Sequence, residues 1–184
     1  MTPVGIEPLP VRVATATDAT ALCALVNSAY RGDSSRHGWT TEADLLGGQR
    51  TDVAALETFI CEGAREGTHV MLLNEDTAGA ACCVQLERRG DEAYLGMLTV
   101  RPTDQGAGRG RGLLEAAERH VRNVWGARAV SMTVIEQRDE LIAWYERRGY
   151  RRTGQTAPFP YGDLRFGEPK RPDLRFVVMR KELN

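Results

Sequence analysis

The run Thr99-Val100-Arg101-Pro102-Thr103-Asp104-Gln105-Gly106-Ala107-Gly108-Arg109-Gly110-Arg111-Gly112-Leu113-Leu114 passes from an apolar strand-like segment, through a loop poor in side chains, into an amphipathic helix. At such a junction successive backbone N–H groups point outward, unpaired, at the positive end of the helix dipole. Glycine lets an anion approach that backbone with no Cβ in the way, so the junction suits a pyrophosphate. Two phosphate motifs fail here on spacing. A P-loop counted from Gly106 meets Arg111 where its second glycine belongs, and no lysine follows. A dinucleotide fingerprint counted from Gly106 ends on Arg111, and counted from Gly108 it ends on Leu113. An RNA contact of the Arg-Gly type would need more than two repeats held between a strand and a helix.

Outward from this run the chain reads as alternating helices and strands. Downstream, Leu113, Leu114, Ala117, Val121 and Val124 form one helical face opposite Glu115, Glu118, Arg119 and Arg122. Ala129–Ile135 alternates as a strand, Arg138–Arg148 reads as a further helix closed by Gly149, and Tyr150–Thr153 and Leu174–Lys181 as closing strands. Upstream, His69–Leu73, Ala80–Glu87 and Ala93–Val100 are strands, the last two joined through a hairpin at Arg88-Arg89-Gly90-Asp91. Before them, Thr15-x-x-Asp18 has capping-box spacing and opens a first helix through Leu22, Leu25, Val26 and Ala29. A second helical region is expected from Thr41-x-x-Asp44 through Leu45 and Leu46, interrupted at Gly47-Gly48 and resuming after Asp52. Residues 1–10, with Pro3, Pro8 and Pro10, read as an extended lead-in to one domain over residues 11–184. The order β-α-α-β-β-β-α-β-α-β-β, with hairpins and crossovers mixed, predicts an α+β fold around a mixed sheet.

What does fit the glycine run is Q-x-x-G-x-G, as Gln105, Gly108 and Gly110. With "LGMLTVRP" before it and "LLEAAERHV" after it, it resembles the pyrophosphate loop of the GCN5-related N-acetyltransferase (GNAT) superfamily. Leu141-Ile142-Ala143-Trp144-Tyr145-Glu146-Arg147-Arg148-Gly149-Tyr150 resembles that family's second signature, a helix carrying a Tyr and ending at Gly and an aromatic. By itself this second segment also fits a plain amphipathic helix, with Leu141, Trp144 and Tyr145 at core spacing. The resemblance implies a central, mixed, mostly antiparallel and splayed β-sheet flanked by about four helices. It implies acetyl-coenzyme A as donor, attacked directly by a neutral amine in a ternary complex, and no metal. Backbone groups at Leu98, Thr99 and Val100 would hold the pantetheine and polarise the thioester carbonyl, in the manner of an oxyanion hole. Gln105, Gly106, Ala107, Gly108, Arg109, Gly110 and Arg111 would receive the pyrophosphate. Tyr145 matches the acid that protonates the leaving thiolate, a phenol near pKa ~10 being able to serve a thiol near ~8.5.

Two positions depart from the family pattern. Arg138 stands where many relatives carry an Asn that contacts the donor; an Arg there suits a phosphate or folds over the donor. Tyr94 stands where several relatives carry a glutamate as general base, which leaves the base unassigned, with a chain of waters as one route. Regions that usually build the acceptor pocket are Tyr30–Trp39 and Thr156–Arg175, the second holding Phe159, Tyr161, Asp163, Arg165, Phe166, Glu168 and Arg171. Aromatics mixed with charges suit a small-molecule amine or amino-acid acceptor; the charges also fit a salt-bridged surface loop or a dimer contact. Three readings stay open: transfer to a small amine, transfer to a protein N-terminus or lysine, and a non-catalytic acetyl-coenzyme A sensor.

Bulk properties narrow the remaining classes. A hydrophobic content of 42% against 27% charged suits a globular core, and a net charge of −1 supplies no field for nucleic acid or an anionic membrane. His37, His69 and His120 show no zinc spacing, and Cys23, Cys61, Cys82 and Cys83 no CxxC pattern. Adjacent on a strand, Cys82 and Cys83 should face opposite sides of the sheet. No apolar run approaches the roughly 20 residues of a membrane span. The Pro-rich start is a poor signal peptide, so the cytosol is the expected compartment. A homodimer is compatible with the sequence.

Overall fold

A computed structural model describes residues 8–184; Pro8–Pro10 have no regular secondary structure, and the rest of the expected lead-in lies outside the described residues. The elements run β1 (Arg12–Val13), α1 (Ala19–Tyr30), β2 (Leu46–Gly47), α2 (Val53–Glu66), β3 (His69–Asp76), β4 (Gly79–Arg89), β5 (Glu92–Val100), α3 (Arg109–Asn123), β6 (Ala129–Ile135), α4 (Asp139–Glu146), β7 (Arg151–Pro158), β8 (Glu168–Pro169) and β9 (Arg175–Glu182). Seven strands form one sheet in the order β1-β3-β4-β5-β6-β9-β7. Every pairing in it is antiparallel except β5 with β6. A separate two-stranded ribbon pairs β2 with β8.

Period-two alternation divides the core between the two faces of the sheet. Met71, Leu73 and Cys83 pack with α1 and α2 on one face. Leu72, Cys82 and Val84 pack with Leu113, Leu114, Ala117 and Val121 of α3 and Ile142 and Tyr145 of α4 on the other. The two adjacent cysteines are thus on opposite sides, both fully buried. The first-helix capping box forms, with Thr15 N–H donating to Asp18 Oδ2 at 2.7 Å, although the turn it opens is 3-10 before α1 begins at Ala19.

The second helical region is half wrong. Asp52 caps α2, its Oδ1 accepting from Ala55 N–H at 2.8 Å, but residues 41–46 form no helix. Leu46–Gly47 instead pairs with Glu168–Pro169, far along the chain. Glu42 is buried in an ion-pair cluster. Long-range pairing overrides local propensity there.

Two irregularities in β5 prepare the site. Its parallel pairing with β6 covers Glu92–Tyr94 against Ala129–Ser131 only. Beyond that, Leu95–Val100 and Met132–Ile135 diverge, β6 staying with β9. The gap leaves one edge of β5 with no ladder partner. In addition, the β4–β5 register shifts between Cys83 and Gln85, so that Met97 and Leu98 lie opposite Val84 alone. Met97 sits at φ 45°, the one non-glycine residue in the left-handed region among those described. Such a conformation costs roughly 1–3 kcal/mol and persists only where the surrounding structure holds it.

Candidate active site

The glycine run connects the open end of β5 to α3. Gly108 is the N-cap of α3, and the first hydrogen bond of that turn runs from Gly112 N–H to Gly108 O at 3.0 Å. The N–H groups ahead of Gly112 in that turn therefore have no intrahelical acceptor. Gly106 and Gly108 have φ +88° and +84°, and a Cβ on either would meet nothing within 4 Å. The backbone there is open to an approaching anion.

A cleft of about 540 Å³ lies against this loop. Leu98, Val100, Gln105, Gly106, Gly108, Gly110, Arg111, Arg138 and Tyr145 all line it, with Trp39, Trp144, Arg147 and Arg148. Three of the residues expected to contact the donor are not on its wall. Thr99 is buried, its hydroxyl donating to Met97 O at 2.9 Å. Arg109 turns its guanidinium to Asn74 Oδ1 at 2.8 Å and toward Asp76 and Asp104. Ala107 lies between the two open glycines without facing the cleft. At these positions only the main chain is left to act.

Gln105 has a scaffolding task. Its Oε1 accepts from Trp39 N–H at 2.9 Å, and its Nε2 donates to Thr40 Oγ1 at 2.8 Å and Val100 O at 3.1 Å. The approach is so close that a Cβ at Gly38 would stand 2.5 Å from Gln105 Oε1. The side chain thus ties the segment after α1 to the start of the glycine loop.

The cleft's outer wall is cationic and aromatic. Arg148 stacks over Trp144, its guanidinium carbon 3.6 Å from the ring centroid, and Trp39 lies 6.2 Å from the same ring. Burial first, and then repulsion from Arg147 and Arg111, lowers the Arg148 pKa. Its Nε is buried with no hydrogen-bond partner. An orphaned donor, three clustered guanidiniums, open glycines and free N–H groups suit a polyphosphate with an aromatic base. These features fit the nucleotide end of coenzyme A. Neither Trp144, which core spacing had claimed, nor Arg147 and Arg148 stood out in the sequence.

At its inner end the cleft meets a second, smaller cavity of about 110 Å³. Tyr30, Leu98, Arg138, Leu141 and Tyr145 line both. Tyr30 donates its hydroxyl to Leu98 O at 2.7 Å and so holds the bulged strand. Tyr145 is buried, and among the described residues its hydroxyl has no hydrogen-bond partner. Burial drives its pKa well above the ordinary phenol value, Tyr30 adding to the rise and Arg138 opposing it. The phenol therefore keeps its proton at neutral pH.

The smaller cavity is lined by Leu46 of the β2–β8 ribbon and by the diverging strands, with Phe159, Phe166 and Phe176 in its wall. The late loop divides between both expectations. Its aromatics Phe159 and Phe166 face the cavity, while Asp163–Arg165 and Arg171–Asp173 pair with each other at the surface. Tyr161 anchors the loop, accepting from Leu174 N–H at 2.8 Å.

Tyr94 offers no base, its hydroxyl bonded to Thr133 Oγ1 at 2.7 Å. The carboxylate of the cavity comes from elsewhere. Glu42 lies between Arg31 and Arg138, 2.9 Å from Arg138 Nη1, with all three side chains at most 9% exposed. Burial raises its pKa, but Arg138, Arg31 and Arg50 together outweigh burial and hold it below the ordinary range. It is a fixed anion, and a poor proton acceptor. Arg138 also donates to Thr40 O, so it braces the junction of the cavities before any ligand arrives.

The acetyltransferase (GNAT) family profile matches residues 24–150, and the protein belongs to this family of acyltransferases, whose donor is acetyl-coenzyme A. Solved structures agree on the fold. The ribosomal-protein-alanine N-acetyltransferase of Brucella melitensis superimposes with a TM-score of 0.71 at 19% identity, over 95% of this chain and 100% of that one. The spermidine/spermine N-acetyltransferase SpeG of Vibrio cholerae gives 0.66 at 14%, over 96% and 93%. The ribosomal-protein-S18-alanine N-acetyltransferase of Escherichia coli gives 0.67 at 16%, over 95% and 94%. Among curated proteins none matches the sequence at a significant level. Among the described residues no group of three His, Cys, Asp or Glu is placed to hold a metal ion.

Proposed function

We propose that the protein transfers acetyl from acetyl-coenzyme A to the primary amine of a small molecule, by direct attack in a ternary complex, in the cytosol. The observation that carries this is the partnerless Tyr145 phenol where the two cavities meet. The large cleft takes the donor and the small cavity the amine, so both reach the same point beside Leu98 and Tyr145. The edge of β5 left without a ladder partner supplies main-chain donors for the negative charge that develops on the carbonyl oxygen. As the amine nitrogen bonds to the carbonyl carbon and the C–S bond breaks, Tyr145 gives its proton to the sulfur. The nitrogen's proton leaves to water, since Glu42 is held as an anion and Tyr94 is occupied.

A small acceptor is favoured over a protein because the second cavity holds only about 110 Å³. Drug-sized ligands ordinarily need about 300 Å³ or more. The test is a thermal-shift titration with acetyl-coenzyme A followed by coenzyme A release over a panel of amines. At one hundred times its dissociation constant the donor should stabilise the fold by about 2.7 kcal/mol. Tyr145→Phe should keep that shift and lose about 10²–10⁴ in kcat. A shift without turnover on any small amine would favour a sensor or a protein acceptor; no shift would refute the donor site.

A further inference from the structure

The charges around the smaller cavity go beyond the transfer proposed above, on which this inference rests, and identify the kind of amine. Among the described residues that line it, three guanidinium groups, Arg31, Arg50 and Arg138, face one carboxylate, Glu42. Glu42 is already bonded to both Arg31 and Arg138. Arg138 is completed by Thr40 O, and Arg31 gives its Nη1 and Nη2 to the carbonyls of Tyr30 and Phe166, its buried Nε alone having no partner among the described residues. Arg50 differs from both. Its guanidinium carbon lies 5.9 Å from the centroid of the Tyr30 ring, and no carboxylate or carbonyl among the described residues accepts from its side chain.

The main chain at Arg50 is nevertheless fixed. Its N–H donates to Asn27 Oδ1 at 2.7 Å, and Asn27 Nδ2 donates to Thr51 O at 2.9 Å. A half-buried guanidinium on a pinned backbone, over an aromatic that lines both cavities, is suited to receive an anion. The cavity carries two positive charges in excess, so it repels a polycation and attracts an acceptor with a negative group.

We infer that the acceptor is an amine bearing a carboxylate, of the α-amino acid class, with its carboxylate on Arg50 and its amino group turned toward Leu98 and Tyr145. A guanidinium fork matches a carboxylate in geometry, and Arg50 has all its donors to offer. The excess charge has a second effect on such a ligand. It opposes the ammonium form of the amine and favours the free base that attacks.

The test measures coenzyme A release by the full chain with L-amino acids, each beside its C-terminal amide, and with spermidine. The acids should exceed their amides and spermidine in kcat/KM by about 10- to 100-fold, the range of a charge-assisted hydrogen bond. Arg50→Gln should raise KM for the acid by a similar factor and leave its amide, and KM for acetyl-coenzyme A, unchanged. Arg50→Lys should recover part of the loss. Preference for amides or spermidine would overturn the inference and leave acetyl transfer standing. Equal loss on acid and amide in Arg50→Gln would do the same. Release from none of the amines would remove the small-amine reading, and this inference with it.

Discussion

Replacing Glu42 by glutamine removes the anion that holds two buried guanidiniums together. Side-chain exposures of 5% for Arg31, 8% for Arg138 and 9% for Glu42 mean that water cannot take over the screening. Losing one partner of such a cluster costs about 3–5 kcal/mol, because the charges left behind are uncompensated. In a chain of 184 residues, at about 2–4 °C per kcal/mol, the melting temperature should fall by about 6–20 °C. Thermal unfolding followed by circular dichroism measures this directly. The sign of the pH dependence follows from the direction of the Glu42 shift. Its folded pKa is depressed, so its contribution is full above the ordinary carboxylate value of 4.5 and is lost as the pH falls below it. The gap between wild type and Glu42→Gln should narrow on acidification. Adding Arg138→Met should cost less than the two single losses together, since it removes one of the stranded charges. The surface variant Arg165→Ala, whose side chain is 85% exposed, should leave the melting temperature unchanged. A drop of under about 2 °C in Glu42→Gln would refute the reasoning, for the cluster would then be no more than a solvated pair.

Gly108→Ala places a Cβ at φ +84° in open space, so strain without collision should destabilise by about 1–2 kcal/mol and weaken acetyl-coenzyme A in the thermal-shift titration. The kcat–pH profile should rise to a plateau with its midpoint below the acceptor amine's free pKa, because the excess positive charge disfavours the ammonium. No alkaline limb should appear up to about pH 10, Tyr145 being held above that value by burial. A thiol reagent should modify exposed Cys61 in the native protein and spare Cys82 and Cys83, whose thiols burial pushes up to about 12, until the fold is melted.

The cleft along the glycine run was legible in the sequence because its lining there is main chain. A glycine can be recognised by what it lacks, and Gln105, Gly106, Gly108 and Gly110 lie within one short run leading into α3. Tyr145 was legible through the helix that carries it. Less could be read of the outer wall: Trp144 satisfies the spacing of a core residue, and only the sheet's divergence leaves it facing a cleft. The acceptor side was least visible. Glu42, Arg31 and Arg138 are brought together across nearly a hundred positions of chain, and no local pattern marks a carboxylate at position 42 as buried. The periodicity of residues 41–46 argued for a helix, and the strand pairing that displaced it has its partner at Glu168–Pro169.

That ribbon divides the molecule's working parts by chain segment. The walls of the large cleft come chiefly from residues 98–148, while those of the smaller cavity come in part from residues 30–50 and 159–176, joined where Leu46 faces Pro169 and Lys170 N–H reaches Leu45 O at 2.9 Å. The two segments form a graftable pair. Exchanged together, they would reshape the smaller cavity and leave the large cleft intact; exchanged singly, they would break the ribbon that keeps them in register.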